Sequence, residues 1–187
     1  YAPGMKISMA GNYHPEIEAD IYDYCLDIFA YGAYTPELLA ERRAQGKVST
    51  YYTCCSAEYP NLFTFSDPAD AAFIALEALA KDLDGYLRWA YNSWTARPCQ
   101  DSRFITWASG DCYLAYPTGS SIRMERLTEG IQAYEKLRIL RPTLNAAQLK
   151  QLDKALEPFR PVVYDTTLDA AQAVNAAKAT LKKLSGK

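Results

Sequence analysis

The segment Gly85-Tyr-Leu-Arg-Trp-Ala-Tyr-Asn-Ser-Trp94 brings Trp89, Trp94, Tyr86, Tyr91, Asn92 and Arg88 into one short run. Those residue types suit the recognition of a sugar. Aromatic faces stack on the C–H faces of a pyranose, and an amide both donates to and accepts from hydroxyls. Leu87, Trp89, Ala90 and Tyr91 read as a strand packed on both faces. Arg88 in its middle needs a partner, because an unpaired buried charge is costly. Asn92 and Trp94 follow where the strand should surface. The same residues also read as an aromatic core strand and an ordinary loop.

Other elements must hold this segment in place. The chain has 187 residues, enough for one sizeable domain. Its hydrophobic content of 49% is that of a globular chain. A net charge of -2 gives no basic footprint and argues against a nucleic-acid partner. No apolar run approaches the length of a membrane span. No signal peptide is evident, and the opening Tyr1-Ala-Pro-Gly4 fits either a mature chain or a piece of a longer one. The 15 tyrosines fit a polar-ligand binder or a Tyr-rich core and surface.

Of the 5 cysteines, an odd count, at least one is unpaired within the chain. With no C-x-x-C spacing and His14 as the sole histidine, neither a metal site nor a cofactor is expected. Cys54 and Cys55 read as small packing residues on opposite faces of a strand. Cys99 and Cys112 flank a loop and are able to pair.

Along the chain, strands are expected at Met5 to Gly11, Tyr24 to Ile28, Val48 to Cys55 and Gly85 to Tyr91. Helices are expected from His14 to Asp23, from Thr35-Pro36-Glu37 to Gly46, and from Asp67-Pro68 onward. A long helix starts at Ser121 with Met124, Leu127, Ile131, Tyr134 and Leu137 along one stripe, and Pro142 ends it. Asn145 and Gln148 have capping-box spacing, and Thr167 to Leu184 reads as a final helix. Cys112 to Tyr116 reads as a short extra strand or an extended cover. Strict alternation of strand and helix implies a parallel sheet with helical crossovers. No Gly-rich phosphate loop follows any strand, which counts against a nucleotide-binding domain. Four strands are half of an eight-stranded barrel. A half barrel leaves two edges open, so either the natural protein continues upstream or the edges self-associate.

Several runs resemble the C-terminal part of family 123 glycoside hydrolases and their relatives. They are Met9 to His14, Ser49 to Cys55, Pro60-Asn61 with Phe63 to Ser66, and Asp84 to Trp94. Asp101 to Phe104, Gly110-Asp111, Tyr116-Pro117 with Ser120 to Arg123, and Glu129 to Lys136 continue the likeness. The resemblance implies an α/β fold: the C-terminal half of a TIM-like (β/α)₈ barrel over residues 1–141, with a helical extension over 142–187. It also implies retaining hydrolysis of β-linked N-acetylgalactosamine or a related N-acetylhexosamine. In that mechanism the substrate's acetamido oxygen attacks the anomeric carbon, with an adjacent Asp-Glu pair assisting. No Asp-Glu dipeptide occurs in the chain. The catalytic pair is therefore expected upstream, and no catalytic residue is assigned here. A bacterial periplasmic or extracellular setting is also implied.

In a barrel, functional groups gather at the C-terminal ends of strands. Tyr13, Tyr52, Tyr91, Asn92 and Trp94 are accordingly the expected contacts to a glycan. Asn12 shares that position after the first strand. Arg88 and Trp89 are expected to point to opposite sides, Arg88 forming a structural ion pair. Asp111 and Arg123 are a second candidate pair. Glu58 is the one carboxylate just after a central strand, but its neighbours offer nothing to raise its pKa. His14, before Pro15, suits a cap or the surface. The alternative to an enzyme is a non-catalytic carbohydrate-binding or structural module. A flavodoxin-type ligand-binding domain is a third reading.

Overall fold

Four parallel strands run side by side in chain order: β1 (Ser8–Gly11), β2 (Asp23–Asp27), β3 (Val48–Thr53) and β4 (Gly85–Arg88). The structure is a computed structural model and describes residues 4–103, 107–161 and 167–186; Phe104 of the Asp101 to Phe104 run lies outside them. Each strand pairs with the next in parallel register, as Tyr24 with Ser49 and Tyr51 with Tyr86. Because side chains alternate across a strand, Leu26, Tyr51 and Tyr86 share one face, while Asp27, Tyr52 and Leu87 share the other.

Helices cover the first of these faces. Helix α1 (Pro36–Ala44) starts at Thr35, whose hydroxyl accepts the Leu38 N–H, with proline in the first turn. Helix α2 (Pro68–Ala80) starts at Asp67 in the same way. Its residues Ala69 to Leu79 are all buried, the mark of a helix enclosed on every side. On one side of it lies the sheet, where the Tyr51 hydroxyl donates to the Ile74 carbonyl at 2.9 Å. On the other lie α3 (Ile122–Leu140) and α5 (Ala170–Leu184). Helix α4 (Ala146–Leu156) opens with the capping box of Asn145 and Gln148. Its Leu152 and Leu156 join Phe73, Leu137, Phe159 and Val174 in one apolar cluster, so the C-terminal helices share a core with α2 and α3.

Three expectations are corrected. The helix from His14 to Asp23 is reduced to a single 3-10 turn at Glu18–Asp20. Buried Arg42 explains why: its guanidinium binds the carbonyls of Glu18, Ile21, Tyr22 and Val48 and the Glu18 carboxylate, holding this crossover extended past the turn. On α3 the buried stripe is Arg123, Leu127, Gly130, Ala133 and Leu137, while Ile131 is exposed. Gly130 sits where the α2 backbone comes closest, which turns the helix away from the stripe that the large residues suggest. Strand β3 ends at Thr53, so Cys54 is half-buried and Cys55 exposed rather than both packing. All five cysteines are free, and Cys99 and Cys112 do not pair.

Candidate functional site

Parallel strands put all their C-terminal ends at one end of the sheet. The apolar residues of the helices gather on the Tyr24, Leu26 and Tyr51 face. On the opposite face Ser8, Ala10, Asp23, Asp27, Tyr52 and Leu87 are half-buried to exposed, while Cys25 and Thr50 at its centre are buried. A polar band crosses that face: Asp23 accepts from Thr50 Oγ1 at 2.8 Å and from Ser8 Oγ at 3.1 Å. Asp27 and Tyr52 are register neighbours at its upper end. Burial pushes the Tyr52 phenol up to about 12, helped by the charge and hydrogen bond of Asp27. At neutral pH Tyr52 therefore keeps its proton. Its oxygen is left to accept from an amide N–H or a hydroxyl.

The segment beyond β4 is pinned by backbone bonds. Ser93 N–H donates to the Cys112 carbonyl at 3.1 Å, Leu114 N–H donates to the Tyr91 carbonyl at 2.9 Å, and Asn92 forms an antiparallel bridge with Tyr113. The expected extra strand at Cys112 to Tyr116 is thus an isolated ladder against residues 91–93. It leaves the side chains of Tyr91, Asn92 and Trp94 exposed. Trp94 is fixed further by its indole N–H, which donates to the Ala115 carbonyl at 2.7 Å.

Asp111 lies across the end of β4. Its Oδ1 accepts from Arg88 Nη2 at 2.6 Å and its Oδ2 from Trp89 Nε1 at 3.1 Å. The carboxylate is fully buried and the Arg88 side chain is 4% exposed. Burial pushes the Asp111 carboxyl up, and the Arg88 charge and the two hydrogen bonds pull it back. Arg88 also reaches the Thr53 carbonyl at 3.2 Å and Asn61 Oδ1 at 2.9 Å. Arg88 is thus ion-paired. Its tip and that of Trp89 converge on one carboxylate instead of diverging, because the strand ends at Arg88. Asp111 and Arg123 are not partners: Arg123 donates to the carbonyls of Leu62 and Gly110.

Of the five expected glycan contacts, Tyr52, Tyr91, Asn92 and Trp94 lie on the open face or on the rim beyond β4, and Tyr13 does not. Tyr13 stacks on Tyr24, with ring centroids 5.8 Å apart, on the helix-covered face. His14 is exposed beside Glu16. Sequence reasoning missed Asp27, whose position as the last strand residue on the Tyr52 face required the register. It also missed Trp107, whose ring lies 5.3 Å from that of Trp89.

Glu58 is exposed and lines a recess of about 510 Å³ with Asp67, Asp70 and Asp169. The carboxyl with a strongly raised pKa there is Asp70, which is buried, with Oδ1 unpartnered among the described residues. Burial pushes it up to about 7 from an ordinary 3.8. Folding therefore takes up a proton between about pH 4 and 7, and stability falls as pH rises through that window. Asp70→Asn is expected to gain up to about 4 kcal/mol at pH 8 and to lose most of the slope. Urea unfolding at pH 5 and pH 8 checks this; a wild-type protein equally stable at both would refute it. A larger cavity of about 870 Å³ lies between α3 and α5, lined by Lys136, Leu140, Lys178 and Leu181, away from the strand ends.

Among the described residues no group of three or more His, Cys, Asp or Glu is placed to hold a metal ion, and no helix is long and apolar enough to cross a membrane.

The chain is similar to a known family and to solved structures. The family described as "Glycoside hydrolase 123, catalytic domain" matches residues 1–140. A structure described as "The details of glycolipid glycan hydrolysis by the structural analysis of a family 123 glycoside hydrolase from Clostridium perfringens" is similar in fold, with a TM-score of 0.76 and 21% identity. The similarity covers 97% of this chain and 35% of that one, so the chain spans about a third of that structure's length. None of the curated proteins matches the chain.

Proposed function

The chain belongs to the glycoside hydrolase 123 catalytic-domain family, and from that premise we propose that it forms the sugar-recognising part of a glycosidase. The reading is retaining, substrate-assisted hydrolysis of a β-linked N-acetylgalactosamine or a related N-acetylhexosamine. Further strands outside these residues complete a barrel over the open face and supply the Asp-Glu pair. The observation that carries the reading is the rim itself: Tyr91, Asn92 and Trp94, pinned at the C-terminal end of a parallel sheet whose neighbouring face is open, with Asp27 and Tyr52 at its edge. Trp94 walls the ring, Asn92 binds a hydroxyl through its donor and its acceptor, and Tyr52 accepts a hydrogen bond from the acetamido N–H. The acetamido oxygen is thereby left free to attack.

The test is hydrolysis of a chromogenic β-N-acetylgalactosaminide. Residues 1–187 alone are expected to give no turnover, and the full-length protein to turn over. In the full-length protein, Asn92→Ala and Trp94→Ala are each expected to lower kcat/KM by about 10²-fold, the scale of losing a positioned transition-state contact. Unchanged kinetics in both variants would remove those residues from the site. A full-length protein that binds the glycan and never cleaves it would leave a carbohydrate-binding module in place of an enzyme.

A further inference from the structure

Trp89 and Trp107 are 42% and 37% exposed, with ring centroids 5.3 Å apart and planes tilted by 57°. Large aromatic side chains cost least when covered, yet this pair stays open at the functional end of the sheet. The Trp89 N–H is used by Asp111 at 3.1 Å, so what the exposed part of its ring offers a ligand is aromatic carbon. The tether is stiff, since Asp111 is fully buried and held at 2.6 Å by Arg88, which is itself fixed to β3 and Asn61. A preorganised aromatic surface, with the adjacent Asp111 charge already paired to Arg88, matches a neutral ligand that has a flat C–H face, which is a pyranose ring.

Trp94 is anchored separately, at Ala115. The anchors at Asp111 and Ala115 are four residues apart on one segment, an extended reach of at most about 14 Å. Two sugar-contacting positions within that bound fall inside the span of one oligosaccharide. We propose that Trp89 and Trp107 form a second sugar-stacking site for a glycan ring beyond the N-acetylhexosamine, with Asp111 as its positioning residue. The inference rests on the glycosidase reading above.

The test compares, in the full-length protein, a short aryl β-N-acetylgalactosaminide with an oligosaccharide ending in the same β-linked sugar. Trp107→Ala is expected to raise KM for the oligosaccharide about tenfold while kcat, and both constants for the aryl glycoside, stay within about twofold. Trp89→Phe, which keeps a ring and loses the tether, is expected to fall between wild type and Trp107→Ala. Equal losses on both substrates, or none on either, would overturn the second site and leave the glycosidase intact. If neither substrate is cleaved, the glycosidase reading fails, and the site is read from tryptophan fluorescence instead. A shift in emission on adding the oligosaccharide, absent in Trp107→Ala, upholds the site, and no shift overturns it. Acrylamide quenching of the ligand-free protein gives a further check: if Trp107→Phe removes no quenchable emission, another part of the protein already fills the site and the proposal falls.

Discussion

Arg88→Met is expected to destabilise the folded chain by about 3–5 kcal/mol, the usual cost of stripping one partner from a buried ion pair. Met replaces the aliphatic stem and lacks the guanidinium, so most of the loss is electrostatic. Asp111 would stay fully buried with, among the described residues, only the Trp89 N–H donating to its carboxylate, and Asn61 Oδ1 would lose its guanidinium donor. The loss should depend on pH in a definite sense. Burial already pushes the Asp111 carboxyl up against the pull of Arg88, so removing Arg88 raises it further. The variant then folds with a protonated Asp111, and its deficit is smaller at pH 5 than at pH 8. Adding Asp111→Asn to Arg88→Met should recover much of the loss, because no charge is then left buried. Urea unfolding of the two single variants and the double at both pH values completes the cycle. A single-variant loss below about 1 kcal/mol would show that water screens the pair as it screens a surface one.

The second large effect is at Gly130. Helix propensity alone predicts that Gly130→Ala stabilises α3 by about 1 kcal/mol. Packing predicts the reverse. A methyl group built there lies 2.8 Å from the Cα and the carbonyl oxygen of Ala72 and 3.0 Å from the Cβ of Ala75. Two of those three atoms are backbone of a helix buried all round, so neither partner yields cheaply and α2 and α3 must move apart. Overpacking costs about 1–3 kcal/mol, and two backbone contacts at 2.8 Å put this site at the upper end, so after the propensity gain the net outcome is a loss of about 2 kcal/mol, seen as a lowering of Tm by roughly 4–8 °C. Gly130→Val should be worse. An alanine variant as stable as wild type would mean that the helices slide without cost.

What the sequence made legible was local. The helix starts at Thr35, Asp67, Ser121 and Asn145 all accept their expected backbone N–H groups, because a cap is decided within four residues. The parallel sense of the strands was legible from alternation, and their order was not. Contacts between distant residues were not. Arg42 reshapes a crossover about twenty residues upstream, and nothing near Glu18 announces it. Gly130 reads as a break in an apolar stripe until its neighbour Ala72 is known. Asp111 was matched to Arg123 by sequence, and only the geometry assigns it to Arg88. That Tyr91, Asn92 and Trp94 would lie at or beyond the end of β4 was legible from chain order alone. Tyr13 was misplaced because the chain turns under the helices straight after β1, and Asp27 was missed because its face is set by pairing with Tyr52.

The ladder between residues 91–93 and 112–114 has a consequence for how such a site can diversify. It closes the stretch between them into an excursion whose two roots are stapled side by side. Loop closure costs little more as a loop lengthens once its ends are fixed. Length changes in this stretch are therefore expected to leave Tyr91, Asn92 and Trp94 in place as long as the Pro98 and Asp101 carbonyls that hold the Tyr113 hydroxyl are kept. Trp107 travels with the excursion while Trp89 stays on the scaffold. A transplanted loop would thus change which neighbouring ring is gripped and keep the grip on the first, so that chain-length preference becomes an exchangeable part.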